Sequence, residues 1–281
     1  MSAFLEGMRH LGWIEGRNIE IERRWGEGMV GIMRTQAELL VSGRPDVLAV
    51  STATALSEVR RAAGGIPIVF WGVSDPVGNN FVQVLARPEG NITGFSLFNY
   101  EMGGKWLQIL KEVSPHLKRA LVLMNAANPN WPGWRRAIEP VASSVGLQLI
   151  LPEVRDAAQL ERAVAGFARE PNGGLLVLPD PFMTANRDSI LKLAGRLRLP
   201  AIYGQVEWVR QGVLVAYGVD QLDLARRAAA YVSRILKGEK PGELPVQAPT
   251  RFEFAVNMKT AATLGLRIPP SILVRADEVI R

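Results

Sequence analysis

Four segments of this chain read as short strands, apolar on both faces, that stop at clusters of small polar residues. Ile66–Val73 runs into Ser74-Asp75-Pro76, and Arg119–Met124 into Asn125-Ala126-Ala127-Asn128-Pro129. Gly174–Leu178 runs into Pro179-Asp180-Pro181, and Pro45–Val50 into Ser51-Thr52-Ala53-Thr54. A stretch of helical periodicity follows each one. Strands buried on both faces and alternating with helices belong to parallel sheets covered on both sides. Ligands of such sheets collect outside the carboxyl ends of the strands. The four polar loops are therefore predicted to build a binding site from loop tips.

The same alternation extends along the chain. Met1–Gly12 has the spacing of an amphipathic helix, and Asn18–Arg24 alternates Ile19 and Ile21 with Glu20 and Glu22 as a half-exposed strand would. Helices are expected at Ile32–Val41, Leu56–Ala63 and, briefly, Phe81–Ala86, with a strand at Asn91–Ser96. The pattern then restarts. Helices are read at Met102–Val113, Trp134–Val145, Ala157–Arg169 and Ser189–Leu197, with strands at Leu147–Leu151, Pro200–Gly204 and Gly212–Tyr217. Leu222–Leu236 is a long helix closed by Lys237-Gly238 and Pro241; Phe252–Val256 is extended, and Lys259–Leu264 is a last helix. A chain of 281 residues suits two such α/β units. With no Gly/Ser linker between them, they should be joined by several short crossings and enclose a cleft.

Composition excludes several chemistries. The chain has no cysteine, so disulfides, thiolate catalysis and Cys-ligated zinc are ruled out. Its two histidines, His10 and His116, are far apart in sequence. No run approaches the roughly 18 apolar residues of a membrane span. The net charge of +6 is scattered over helical faces and not gathered in one block, which argues against nucleic acid and leaves mild attraction to anionic membranes or partners. Gly26-Glu27-Gly28-Met29-Val30-Gly31 matches G-x-G-x-x-G, but the segment before it is half-exposed and Ser51 ends the next strand where an acidic residue is needed. It reads as a glycine-rich turn, and no cofactor is expected.

The strand-end groups suit binding better than catalysis. Ser51, Thr52 and Thr54 precede a helix, where hydroxyls and free N–H groups hold a carboxylate or phosphate, or where one hydroxyl is simply the N-cap. Asp75 and Asp180 are either partners for a ligand ammonium or acceptors in Asx turns before proline. Asn125 and Asn128 offer donor and acceptor alike, again with a turn-forming alternative. Among nearby aromatics, Trp131 and Phe182 lie beside prolines in loops, Trp71 and Tyr203 are candidates for core, and Phe98 and Tyr217 complete the set. No general base, metal cluster or activated nucleophile is legible. The chain reads as a binder and not an enzyme.

Two stretches carry a wider likeness: Ile66–Ser96, with IPIVFWGVSDPVG and LARPEGNITGFS, and Phe252–Ile280, FEFAVNMKTAATLGLRIPPSILVRADEVI. With LGWIEGRNIEIERRW at Leu11–Trp25 and LVLMNAANP at Leu121–Pro129, they resemble the ABC-transporter substrate-binding protein family that includes receptors for tryptophan and other aromatic amino acids. The resemblance implies an α/β type I periplasmic-binding fold, with two Rossmann-like lobes joined by a multi-crossing hinge that close over a small molecule. It places residues 1–97 and 219–248 in the N-terminal lobe and 98–218 and 249–281 in the C-terminal lobe. The ligand would be an aromatic or branched amino acid, or a related carboxylate, passed on to a membrane permease. Ligand-binding residues carried over are Ser51, Thr52, Ala53, Thr54, Ser74, Asp75 and Ser96 in the first lobe. In the second they are Asn125, Ala126, Asn128, Asp180, Tyr203, Gln205 and Tyr217. Family members are periplasmic or membrane-associated outside the cytoplasm and begin with an export signal and a first strand. This sequence opens within the following helix, so the first strand is expected to be missing. The same fold also serves cytoplasmic sensors, the alternative role; oligomeric state is left open.

Overall fold

The computed structural model describes residues 1–97 and 99–281, and the chain divides into two compact units. Unit 1 comprises Met1–Asn99 and Asp220–Thr250, and unit 2 comprises Tyr100–Val219 and Arg251–Arg281. The chain opens in unit 1 with α1 (Ser2–His10), α2 (Val30–Ser42), β1 (Leu48–Ser51), α3 (Ala53–Ala62), β2 (Ile68–Val73) and β3 (Ile92–Ser96). Unit 2 follows with α4 (Glu101–Val113), β4 (Arg119–Leu123), α5 (Trp131–Ser144), β5 (Gln148–Ile150), α6 (Ala157–Phe167) and β6 (Gly173–Val177). It continues through α7 (Pro181–Ala185), α8 (Arg187–Arg196), β7 (Ala201–Tyr203) and β8 (Val215–Val219). The chain returns to unit 1 for α9 (Gln221–Leu236) and ends in unit 2 with β9 (Phe252–Asn257), α10 (Met258–Thr263), α11 (Pro270–Arg275) and β10 (Glu278–Ile280).

In unit 1, β1, β2 and β3 form a parallel sheet in that order, registered by Leu48 opposite Ile68 and Ile68 opposite Ile92. β2 is central and almost wholly buried, which is why it carries the unbroken run IVFW. Its core gathers Leu48, Val50, Leu56, Ile68, Phe70 and Phe81. On α1, Phe4 stacks on Trp71 of β2 with ring centroids 5.3 Å apart.

Unit 2 has a seven-stranded sheet, ordered β10-β9-β8-β7-β6-β4-β5. All neighbours are parallel except the β8–β9 pair. α4 and α5 pack tightly because Gly103 and Gly104 leave room: a Cβ on Gly103 would lie 2.5 Å from Ile138, and one on Gly104 2.8 Å from Val141.

Two expected elements do not form. Asn18–Arg24 is no strand: Asn18 belongs to a turn, and Ile19 makes only an isolated bridge to Glu15. Alternation exposes a row of backbone donors and acceptors, but a strand needs a neighbour to take them, and the only described neighbour of β1 is β2. The segment is tied instead by Arg23–Glu15 and Arg24–Glu22 ion pairs. Phe81–Ala86 is irregular: Phe81 and Val82 both donate N–H to Pro76 O, and Leu85 O accepts from Val246 N–H. Those outside partners replace the i→i−4 bonds of a helix.

Candidate functional site

Each unit presents its polar candidates at the C-terminal ends of parallel strands. In unit 1, β1 delivers Ser51 to the start of α3. Thr52 caps that helix, its Oγ1 accepting the Ala55 N–H at 3.3 Å. Ala53 and Thr54 form the buried first turn, where helix N–H groups lack intrahelical partners and carry the positive end of the dipole. Thr52 adopts φ 101°, ψ 146°. That region strains a β-branched residue by roughly 1–3 kcal/mol. Thr52→Gly removes the strain and loses only a few tenths of a kcal/mol in capping. It is therefore expected to raise the Tm of the unliganded protein by a few degrees; differential scanning calorimetry showing a lower Tm would contradict the strain.

The end of β2 is also bent. Gly72 (φ 73°) shifts the register against β3 between Trp71 and Val73. Ser74 is buried, and its carbonyl accepts Asn79 Nδ2 at 3.0 Å. Asp75 (φ 41°) turns its Oδ1 onto the Gly78 N–H at 2.9 Å. A Cβ on Gly78 would sit 2.1 Å from the other carboxylate oxygen, so glycine is what lets Asp75 fold over the turn. At the end of β3, the Ser96 N–H bonds Gln247 O at 2.9 Å. Gln247 is held by its Nε2 donating to Tyr231 OH, which in turn donates to Pro245 O, both at 2.8 Å.

In unit 2, Asn125 Oδ1 accepts the Ala127 N–H at 2.8 Å, and Ala126 N–H bonds Val154 O. Asn128 joins two strand ends: its Nδ2 donates to Asp180 Oδ2 at 2.6 Å, while its Oδ1 accepts the Asn130 N–H at 2.9 Å. Asp180 caps α7, its Oδ1 accepting the Met183 N–H at 3.0 Å. Asp180 is only 4% exposed and takes part in none of the ion pairs among the described residues. Burial raises its pKa above the ordinary Asp value, against the lowering effect of the bonds from Asn128 and the backbone.

The aromatics divide differently from the sequence reading. Tyr203, a candidate for core as well as for ligand contact, has its side chain fully buried in unit 2 and T-stacked on Trp208 at 5.0 Å. Its hydroxyl has no protein partner, and burial pushes the phenol far above its usual range. Phe182 lies in the same core, and Trp71 in that of unit 1. Trp131 is half-buried at the first turn of α5, and Gln205 is half-buried just beyond β7. Tyr217 is half-buried, stacked on Phe252 at 5.9 Å, and takes Lys105 Nζ on its hydroxyl at 3.0 Å. Phe98 lies outside the described residues.

Sequence reasoning missed Asn130 and Tyr100. Asn130 is buried and bonded by Tyr100 OH at 3.2 Å, which ties the Asn128 loop to the start of α4. The run Asn128-Pro129-Asn130 carried that signal. The Gly26–Met29 segment is a turn preceded by irregular chain, so the strand that a dinucleotide fingerprint requires is not there. An open groove of about 430 Å³ runs along α6 and α8 past Leu160, Glu161, Lys192 and Arg196, and contains none of the strand-end candidates. Among the described residues, no group of three His, Asp or Glu could hold a metal, and no helix is long and apolar enough to cross a membrane.

Comparison with known proteins places this arrangement. The family described as "ABC transporter substrate binding protein" matches residues 1–280. A tyrosine-binding protein of Clostridioides difficile is 24% identical over 265 residues, covering 94% of this chain and 76% of that protein. The crystal structure of a conserved domain protein from Vibrio cholerae aligns with TM-score 0.92 and 27% identity, over 99% of this chain and 93% of that one. A structure from Streptococcus pneumonia described as an ABC domain in complex with L-Trp aligns with TM-score 0.90 and 23% identity, over the same shares. The fold is therefore the α/β periplasmic-binding fold expected from the sequence.

Proposed function

Because the chain belongs to the ABC transporter substrate binding protein family, we propose that it is a receptor for an aromatic amino acid outside the cytoplasm, handing it to the permease of an importer. The carrying observation is Asp180. A carboxylate withdrawn from water, bonded by neutral donors and left without a cation, is costly when ionised. A ligand ammonium supplies the charge that the neutral donors around Asp180 lack. In unit 1 the helix start at Ser51, Thr52, Ala53 and Thr54 suits the ligand carboxylate, with Ser74 and Ser96 at the adjoining strand ends. Asn125, Ala126, Asn128 and Gln205 supply polar contacts in unit 2, and the half-buried rings of Trp131 and Tyr217 suit an aromatic side chain. Asp75, with one oxygen committed to its own turn, is the second anionic candidate. The named ligands of the relatives, tyrosine and tryptophan, favour an aromatic amino acid over a branched one.

Isothermal titration calorimetry tests this with L-tryptophan, L-tyrosine, L-leucine, tryptamine and indole-3-propionate. The aromatic amino acids are expected to bind. Removing either charged group from the ligand should weaken binding at least about 30-fold, the effect of truncating one partner of a buried charge pair. No heat with any amino acid, or equal affinity for tryptamine and tryptophan, would discard the zwitterion-clamping reading.

A further inference from the structure

We propose that one edge of unit 2, the edge opposite its candidate ligand loops, docks on an anionic lipid surface. The charge of the chain is divided unevenly. Unit 1 holds 14 Lys and Arg against 14 Asp and Glu, whereas unit 2 holds 19 against 13, so the whole excess of +6 lies in unit 2. The topology then concentrates that excess. At the N-terminal ends of the parallel strands, Lys118 precedes β4, Arg169 stands in the loop before β6, and Arg198 in the loop before β7. β9 runs antiparallel to β8, so its last residues and those of β10 reach this same edge, bringing Lys259 and Arg281.

Backbone bonds confirm the alignment: Lys118 N–H meets Asn172 O, Leu175 N–H meets Pro200 O, and Asn257 N–H meets Leu214 O. Lys118, Arg169, Arg198, Lys259 and Arg281 are all exposed, and none makes an ion pair among the described residues. Arg119, the first residue of β4, and Glu170, in the loop before β6, also lie at this edge and are paired with each other at 3.2 Å. His116 is exposed on the same side. From β4 to β10 the row crosses five strand spacings, about 24 Å.

The chemistry of the row selects the partner. The exposed large apolar residues of unit 2 are Phe252 and Val274; Phe252 begins β9 at the opposite end of the sheet, and Val274 is on α11. The edge thus offers cations without the aromatic or apolar anchors that dominate protein interfaces. A row of exposed Lys and Arg outside any ion pair matches the diffuse negative potential of acidic phospholipids, which attracts basic groups lying within a Debye length of the surface. This inference concerns a different surface from the ligand loops and does not depend on which ligand they bind.

Co-sedimentation of the full chain with phosphatidylcholine vesicles, with and without phosphatidylglycerol, tests it. Binding is expected only with phosphatidylglycerol and should vanish in high salt. The triple variant Lys118→Glu, Arg198→Glu, Lys259→Glu should bind at least roughly a hundredfold more weakly, at about fivefold per cation removed. A control with the same net charge, Arg44→Glu, Arg87→Glu, Lys240→Glu in unit 1, should retain most of the binding. Equal losses in the two variants would reduce the effect to net charge and overturn the docking edge, as would equal binding to pure phosphatidylcholine. Retention on immobilised polyglutamate without binding to phosphatidylglycerol vesicles would replace the lipid with an acidic protein. Matching thermal melts of both variants and the parent establish that each is folded.

Discussion

Gly94→Ala is expected to cost at least about 3 kcal/mol and to lower Tm by roughly 10 °C or more. Gly94 lies within β3 at φ 152°, a conformation that side chains rarely adopt. A Cβ there would stand 2.0 Å from Phe70 O and 2.7 Å from Phe70 N. Both atoms belong to the backbone of β2, so no side-chain rotation relieves the overlap. β2 is the middle strand of three, and displacing it strains its pairing with β1 and β3 together. Ser74 and Asp75, which follow β2 directly, would move with it. Urea denaturation followed by circular dichroism gives the measurement. A midpoint within experimental error of the parent would show that β2 and β3 do not approach this closely.

Much of the architecture is legible because these strands are buried on both faces. An unbroken apolar run such as IVFW in β2 or ALVL in β4 has few uses outside a covered parallel sheet. The loops that follow are equally readable, since proline and Asx residues both stop a strand and cap a helix; Asp180 and Asp156 each accept an N–H from the first turn of the next helix. Alternation is weaker evidence. Ile19 and Ile21 have the right spacing for a strand, but pairing depends on a neighbour that no local window contains. The short elements Pro181–Ala185, Pro270–Arg275 and Glu278–Ile280 escaped because they are too brief for a period to register.

The candidate site was readable at the level of loops and less so for individual side chains. Strand parity supports the core reading of Tyr203: it shares a face with Ala201, two residues before it, and both lie in the same core cluster. Nothing local reveals that Asn128 spends its amide on Asp180, a contact between residues 52 apart. Such a bond exists only because β4 and β6 are neighbours in the sheet, with Leu123 opposite Val177.

Asp180→Asn is expected to lower affinity for an aromatic amino acid at least about 30-fold while leaving the protein folded. The amide oxygen still accepts the Met183 N–H, but the amide nitrogen meets Asn128 Nδ2 donor to donor, which forfeits about 1 kcal/mol for the lost hydrogen bond. Against that loss, the variant no longer buries a charge. Because the folded-state pKa of Asp180 is raised, the folded protein holds its proton more tightly than the unfolded chain. The stabilising contribution of the acid is thus complete at low pH, below the ordinary value of 3.8, and is lost as pH rises through the elevated folded value. Consequently, the Tm of the variant relative to the parent should climb with pH, in the absence of ligand. Ligand binding has the opposite dependence in the parent: an ammonium attracts the ionised form, so affinity should increase with pH over the same window and binding should release a proton. Calorimetry in buffers of different ionisation enthalpy measures that proton directly. A variant that binds as tightly as the parent would remove Asp180 as the ammonium partner and leave Asp75 in its place; a flat pH dependence of the Tm difference would mean that the buried carboxylate is not destabilised when ionised.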